Sequence, residues 1–418
     1  MKNKTTYICK NCNHSAPSWA GQCPQCEEWN TLEEQIIVKQ SARPQRIREN
    51  PAKTTSISSF SPGKQNRIQT KVQELDQALG GGFLNSSFTL LTGEPGIGKS
   101  TLTLQIAHKI AQQNLKTLII SGEESEYQIQ ERANRLKAAH PGITLANESN
   151  LETIIATLDS EKPDFAIIDS IQVIGSNAVT STPGSTTQVR YCAEELLGYC
   201  KKHGITTVII GHVTKDGSLA GPKTLEHLVD TVLQFEGDRY HDLRILRTSK
   251  NRFGSTSEIG IFKMTAQGLE ECPNPSAEIL KNRTESRIGS VLSLILEGSR
   301  PLLIEVQALT SPTHFGYPKR TTSGYDLNRL NLLIAVLQKH HGINLSDHDV
   351  YINITGGIKV KDPIIDKAVT EAIISSYKKT PISPSKIAIG EISLTGETIN
   401  NKRFQDALSA TQKLGLTA

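Results

Sequence analysis

Residues 92–101 read TGEPGIGKST, and Gly93, Glu94, Pro95, Gly96, Ile97, Gly98, Lys99, Ser100 and Thr101 form a pattern able to hold phosphate. Gly93-x4-Gly98-Lys99-Ser100 fits G-x-x-x-x-G-K-[ST]. Its glycines let backbone N–H groups turn toward an anion, and a helix starting behind them adds its dipole. On this pattern Lys99 reaches the β- and γ-phosphates of ATP, and the Ser100 hydroxyl ligates Mg2+. Asp169 closes the apolar run FAIID, where a carboxylate at a strand's C-terminal end steers the magnesium shell. Glu123 follows the run TLIISG and offers a base toward water attacking the γ-phosphate. Glu124 beside it reads as a charge favouring a helix N-terminus.

A second chemistry lies near the start of the chain. Cys9-x2-Cys12-x10-Cys23-x2-Cys26 has knuckle spacing at both ends, so two turns can bring four thiolates around Zn2+, with iron the second choice of metal. Four thiolates close the shell, which points to a structural site. A unit of about 30 residues buries too little core to fold alone, so the metal must supply much of its folding free energy. Trp19 and Trp29, the only tryptophans, flank these turns. Packing around the knuckles is their expected role, and stacking on bases is the sharper alternative. Cys192, Cys200 and Cys272 read as ordinary thiols.

The elements that position the phosphate loop follow from hydrophobic patterning. The near-continuous apolar runs at 88–93, 117–123, 164–170, 206–213 and 231–237 read as strands, with helical stretches such as 101–113 between them. This predicts a parallel sheet covered on both faces. The segment 243–262 reads as an antiparallel hairpin turning near NRFG. Pro and Asn break the pattern around 272–285. Beyond it come paired strands over 288–311, a helix over 326–342, a strand over 349–358, a helix over 363–378 and a hairpin over 386–397.

The chain has 418 residues and a net charge of only +4, so any surface for nucleic acid must be local. No run approaches 18 apolar residues and the N-terminus lacks an apolar signal region, which argues against a membrane span or a secretory signal. Clustered cysteines without a signal point to the cytoplasm. Residues 39–71 carry eight Lys or Arg against one acid, Glu49, and read as a flexible basic tether, either a plain linker or a DNA contact. Two polar loops, 174–190 and 214–227, leave the C-terminal edge of the sheet and lack base-stacking aromatics. They suit a phosphodiester strand gripped without sequence reading, or are simple loop variation. Lys250 and Arg252, at the tip SKNRFG, are either solvated or offered in trans to a neighbour's γ-phosphate.

These features together resemble the bacterial RadA (Sms) family of RecA-related ATPases. The four-cysteine finger, GEPGIGKST, GHVTKDGSLAGPKTLEHLVDTVLQFEGD and KNRFG all match that pattern. The resemblance implies four segments: a C4 zinc finger (1–30), a basic linker (31–71), a RecA-like P-loop ATPase (72–271) and a Lon-protease-like α+β domain (285–418). It implies a homo-hexamer that hydrolyses ATP between subunits. The motor would move on single-stranded DNA and extend branched recombination intermediates, beside a RecA-type recombinase filament. On the same resemblance Lys250 and Arg252 belong to the signature motif, 174–190 and 214–224 face DNA, and His212 and Thr214 sense the γ-phosphate. A buried histidine at a strand end is the competing reading of His212. In the Lon-like part the expected serine region reads Ile364, Ile365, Asp366. With no serine for a lysine such as Lys402 to activate, a non-proteolytic platform for assembly and DNA binding is expected. The alternative overall is a RecA-fold ATP-binding regulator or kinase without motor activity.

Overall fold

The computed structural model describes residues 4–12, 14–16, 18–37, 67–212, 222–237, 242–281, 283–298, 300–313, 316–357 and 359–413. Two units are separable, Met1–Gly63 and Lys64–Ala418. In the first, β1 (Lys4–Cys9) pairs antiparallel with β2 (Ser15–Ala16) and with β3 (Leu32–Ile37). The metal-binding unit therefore runs past residue 30, to Ile37. Segment 31–37 belongs to its sheet because Cys9 pairs with Leu32 and Lys4 with Ile37. The basic stretch 38–66 lies outside the described residues.

The second unit begins before residue 72. There β4 (Arg67–Ile68) leads into α1 (Gln73–Leu79) and pairs with β5 (Phe83–Leu84). The chain then alternates strand and helix. β6 (Phe88–Gly93) enters the phosphate loop and α2 (Lys99–Ala111) leaves it. Next come β7 (Thr117–Ser121), α3 (Glu126–Arg135), β8 (Ile143–Asn147), α4 (Leu151–Glu161) and β9 (Phe165–Asp169). The 70 residues from Lys99 to Asp169 thus hold two strand–helix units after α2, not the one expected. β8, sequence ITLAN, is a half-exposed edge strand whose weak apolar signal hid it. α5 (Thr186–His203), β10 (Thr206–His212), α6 (Pro222–Glu226) and β11 (Thr231–Gly237) complete the parallel part. An antiparallel meander follows: β12 (Leu243–Asn251), β13 (Ile259–Thr265) and β14 (Gly268–Glu271).

These strands form one nine-stranded sheet in the order β14-β13-β12-β11-β6-β10-β9-β7-β8. Successive strand residues face opposite sides, and the cores show it. Leu91, Ile119 and Ile167 pack with α1 and α2, whereas Leu90, Ile120 and Ile168 pack with α4 and α5.

The breaker region around 272–285 holds a short helix, α7 (Pro275–Lys281), and not a plain linker. β15 (Ser290–Glu297) and β16 (Arg300–Pro312) form the expected hairpin. β17 (Arg320–Ser323), α8 (Leu327–His341), β18 (His348–Ile354) and α9 (Asp366–Lys378) follow. Their sheet runs β15-β16-β18-β17. The hairpin expected over 386–397 narrows to β19 (Glu391–Ile392) against β20 (Thr398–Ile399), and α10 (Lys402–Lys413) ends the described chain.

The two predicted halves of this unit share a core. Ile245, Ile259 and Ile261 of the nine-stranded sheet pack in the same cluster as Leu294, Leu303 and Ile304. Two ion-pair sets reinforce the seam. Arg300 donates to Glu74 at 2.5 and 3.1 Å, and Glu74 also accepts the Ile261 N–H at 2.8 Å. Arg247 bridges Glu236, at 2.8 Å, and Glu297. Glu74 is 4% exposed, so Glu74→Ala takes the carboxylate from a largely buried guanidinium and a buried amide. We expect a loss of about 3 kcal/mol or more in chemical denaturation, whereas Glu131→Ala on the exposed face of α3 leaves the midpoint within experimental error.

Candidate nucleotide site and metal centre

Sheet register assembles the nucleotide site. His212 at the end of β10 pairs with Gly93 at the end of β6, and Asp169 at the end of β9 pairs with Ser121 at the end of β7. The C-terminal ends of four adjacent strands therefore form one row, the edge where open α/β sheets bind ligands.

The loop after β6 needs its glycines for space. A Cβ on Gly93 would sit 2.6 Å from the Phe235 carbonyl oxygen. One on Gly98, at φ +117°, would sit 2.6 Å from Met264 Cε. Gly98 is also the N-cap of α2, so free N–H groups at that helix end face the loop. Lys99 is 3% exposed and its Nζ donates to the Gly93 and Glu94 carbonyls at 2.9 and 3.0 Å. Arg244 of β12 donates from Nε to the Ile97 carbonyl at 3.2 Å, bracing the loop from behind.

Across from the loop, Ser100 Oγ donates to Asp169 Oδ2 at 2.7 Å. A hydroxyl and a carboxylate oxygen side by side are the hard donors Mg2+ takes, so Ser100 fits as its direct ligand and Asp169 as the group steering its shell. Glu123, two residues beyond β7, accepts a hydrogen bond from Ser170 Oγ at 2.5 Å on Oε1, and His212 Nε2 lies 3.5 Å from the same oxygen. Glu124 turns to the helix instead. It pairs with Arg132 of α3, and its N–H donates to Ser121 Oγ at 3.0 Å. The two neighbouring glutamates thus face different partners, Glu123 toward Ser170 and His212 and Glu124 toward Arg132.

Burial sets the electrostatics. It pushes the Lys99 ammonium down to about 8, against the opposing pull of Asp169 and Glu123. It raises the Asp169 carboxyl, partly offset by the Ser100 hydroxyl. It lowers the His212 imidazole, with Lys99 adding to the effect.

Lys250 and Arg252 are not brought to these groups. Lys250 Nζ donates to the carbonyls of Glu226 and Val229 at 2.5 and 2.9 Å, and Arg252 Nη1 lies 3.3 Å from buried Asp230. Both sit where β11 begins, since Lys250 pairs with Val232 and the Arg252 N–H donates to the Asp230 carbonyl. That is the sheet edge opposite Gly93. The loop read over 174–190 is shorter than expected. Ser185 caps α5, so Thr186–Arg190 are helical, and Gly175 is tied to Ser149 and Leu151. Residues 213–221, with Thr214 and most of the second loop, lie outside the described residues. Sequence reasoning missed Arg244 and Ser170. A cation inside the apolar strand LRILR was the available signal for the first, and only adjacency to Asp169 for the second.

In the first unit the sulfurs of Cys9, Cys12, Cys23 and Cys26 all lie within 4.8 Å of one another. Tight turns set this geometry: the Cys9 N–H donates to the His14 carbonyl at 2.9 Å, and the Cys23 N–H to the Glu28 carbonyl at 3.0 Å. Thr31 Oγ1, 3.2 Å from Cys9 Sγ, holds that thiol down to about 6. Four sulfurs gathered this closely fit zinc. Trp19 and Trp29 are 58% and 68% exposed and so are not buried against the knuckles, and atoms of both rings lie within 4 Å of where a Gly21 Cβ would sit.

A phosphate loop, a hydroxyl–carboxylate pair and a second carboxylate on one edge of a parallel sheet define a P-loop ATPase, here carrying a zinc ribbon. The comparisons agree: an AAA domain family matches residues 54–218, and a rubredoxin metal binding domain family matches residues 7–34. The chain is 43% identical to the DNA repair protein RadA of Bacillus subtilis, over 99% of this chain and 91% of that one. It is 46% identical to that of Streptococcus pyogenes serotype M6 (100% and 92%) and 43% to that of Listeria monocytogenes (99% and 91%). The chain belongs to the RadA family of DNA repair proteins, and is an ATP-hydrolysing, zinc-binding member of it. Among the described residues no helix is long and apolar enough to cross a membrane.

Two outcomes follow. Lys99 loses its charge as pH rises through about 8, and a bound triphosphate favours the charged form. ATP affinity should therefore weaken between about pH 7 and 9, and binding near pH 8 should take up a proton. Calorimetry in buffers of different ionisation enthalpy reads that uptake, and Lys99→Met should abolish it. Metal analysis should find about one zinc per chain. Cys23→Ser should lose it while ATP binding by the second unit persists.

Proposed function

We propose that this protein is a DNA-dependent ATPase motor that translocates on single-stranded DNA and promotes branch migration of recombination intermediates. The observation that carries this reading is the meeting of Lys99, Ser100, Asp169 and Glu123 at one sheet edge, from which the two candidate DNA loops also leave. Backbone amides of residues 93–98 cradle the phosphates and Lys99 moves from the loop carbonyls to the β- and γ-phosphates. Ser100 would ligate Mg2+ directly and Asp169 would steer its shell, and the ion would supply charge neutralisation on the phosphates when bound. Glu123 receives the proton of the attacking water.

Lys250 and Arg252 act in trans on this reading. Each stands at the edge of its own sheet opposite its own phosphate loop, so a phosphate can meet them only from a neighbouring subunit, as in a homo-hexameric ring. Local acceptors compete for them: Asp230 holds Arg252 and the 226–229 carbonyls hold Lys250, and engagement of the neighbour's nucleotide would release that grip. Single-stranded and branched DNA, and a RecA-type filament that produces such joints, are the partners. The C-terminal sheet is an assembly and DNA-binding platform without protease activity. Supporting this, the Asp366 carboxylate is fully buried and occupied by Tyr325 Oη at 2.6 Å, the Arg329 guanidinium and the Ile392 N–H at 3.2 Å. Lys402, at the start of α10, is exposed.

ATP turnover with and without single-stranded oligonucleotide, across a salt series, tests the motor. DNA should raise the rate, and the stimulation should fall steeply with salt because phosphate contacts release counterions. Lys99→Ala should abolish turnover. Lys250→Ala should also lose turnover yet bind ATP, and mixing it with Lys99→Ala should restore part of the rate. Turnover indifferent to DNA would defeat the motor reading, and absence of rescue would defeat the shared site.

A further inference from the structure

We propose that Ser170 is a positioning residue that aims the Glu123 carboxylate at the attacking water, an inference that rests on the assignment of Glu123 as the base. Glu123 stands on the turn leaving β7, and its side chain is 40% exposed. A glutamate there has three rotatable bonds and little packing to fix them. Ser170, by contrast, is fully buried at the end of β9. Asp169 pairs with Ser121 across β9 and β7, so the residue after Asp169 lies next to the turn that carries Glu123. From that rigid position its hydroxyl donates to Glu123 Oε1 at 2.5 Å. A donor to an anionic oxygen makes the stronger class of hydrogen bond.

The contacts are one-sided. Ser170 and His212 both address Oε1, and Oε2 accepts no hydrogen bond among the described residues. One oxygen is thus held and the other is available to take a proton from water. The neighbouring glutamate is held through its backbone instead: Ser121 Oγ accepts the Glu124 N–H at 3.0 Å. The two serines ending β7 and β9 together fix the turn from both sides. Asp169 spends its own Oδ2 on Ser100, so the consecutive residues Asp169 and Ser170 face two different tasks: one serves the metal side and the other the base.

Ser170→Ala removes the donor with little change in volume. Misplacing a catalytic group by about 1 Å costs on the order of 10²-fold. We expect kcat to fall by roughly 10- to 100-fold, while KM for ATP and equilibrium binding of a non-hydrolysable ATP analogue stay within about twofold. Ser170→Cys, a poor donor of similar size, should show the same split and serves if the alanine variant folds badly. In a Glu123→Gln background, adding Ser170→Ala should leave the residual single-turnover rate unchanged, since there is no base left to aim. A parent-like kcat in Ser170→Ala, beside an inactive Glu123→Gln, overturns the positioning role and leaves the base assignment standing. Loss of analogue binding in both serine variants, or a further drop in the double variant, also overturns it. Full turnover in Glu123→Gln removes the base itself, and the positioning role with it.

Discussion

The register of four parallel strands is the constraint on which the nucleotide site depends. β6, β10, β9 and β7 end at nearly the same height, with His212 opposite Gly93 and Asp169 opposite Ser121. Because side chains alternate across a sheet, a slip of one residue in β9 would turn Asp169 away from Ser100 and put Ser170 in its place. The apolar faces prevent that slip. Ile167 and Ile168 each belong to a different core, and exchanging them would gain nothing while misplacing both polar residues behind them. Core packing and site geometry are therefore set by the same residues.

Within that frame burial is used selectively. Lys99 and Asp169 lie deep enough that burial shifts both toward their neutral forms. Each is kept in play by a partner: Asp169 and Glu123 act on Lys99, and the Ser100 hydroxyl acts on Asp169. A site of this kind responds strongly to an incoming anion and cation, because both groups gain more from a charged ligand in a poorly solvated place than they would in water. Glu123 stays at the more exposed rim, where water can reach it.

Much of this was legible in the sequence, and the reasons differ from element to element. The phosphate loop could be read because glycine is required at 93 by the Phe235 carbonyl, 2.6 Å from where a Cβ would sit, and at 98 by a φ of +117°. The four cysteines could be read because a tetrahedral shell demands their number and spacing. β8 could not, because an edge strand needs only one apolar face and its five residues give little alternation. The end of the ribbon was misjudged because polar LEEQII owes its strand form to pairing with β1 and not to its own pattern. The separation of the ATPase and C-terminal halves was misjudged for a related reason. Prolines at 273 and 275 announce a break in the chain, but the shared cluster around Ile245 and Leu303 is made by residues far apart in sequence. The roles of Ser170 and Arg244 depend on such cross-strand neighbours and have no local signature.

The KNRFG segment shows how the same fold separates chemistry within one chain. β12 runs antiparallel to β11, so its end lies at the sheet edge where β11 begins, away from Gly93. Asp230, just before β11, is buried and holds three groups at once: Arg252, Lys201 and the Phe88 N–H that starts β6. The cations and the strand leading to the phosphate loop are thereby anchored to one carboxylate. Under the proposed ring arrangement, a pull on Arg252 by a neighbour's nucleotide would load Asp230, and through it the root of β6 and the α6 carbonyls that Lys250 caps. The second candidate DNA loop ends at α6. A single buried acid thus ties the KNRFG segment, α5 and the start of β6 together at the edge of the sheet opposite the phosphate loop.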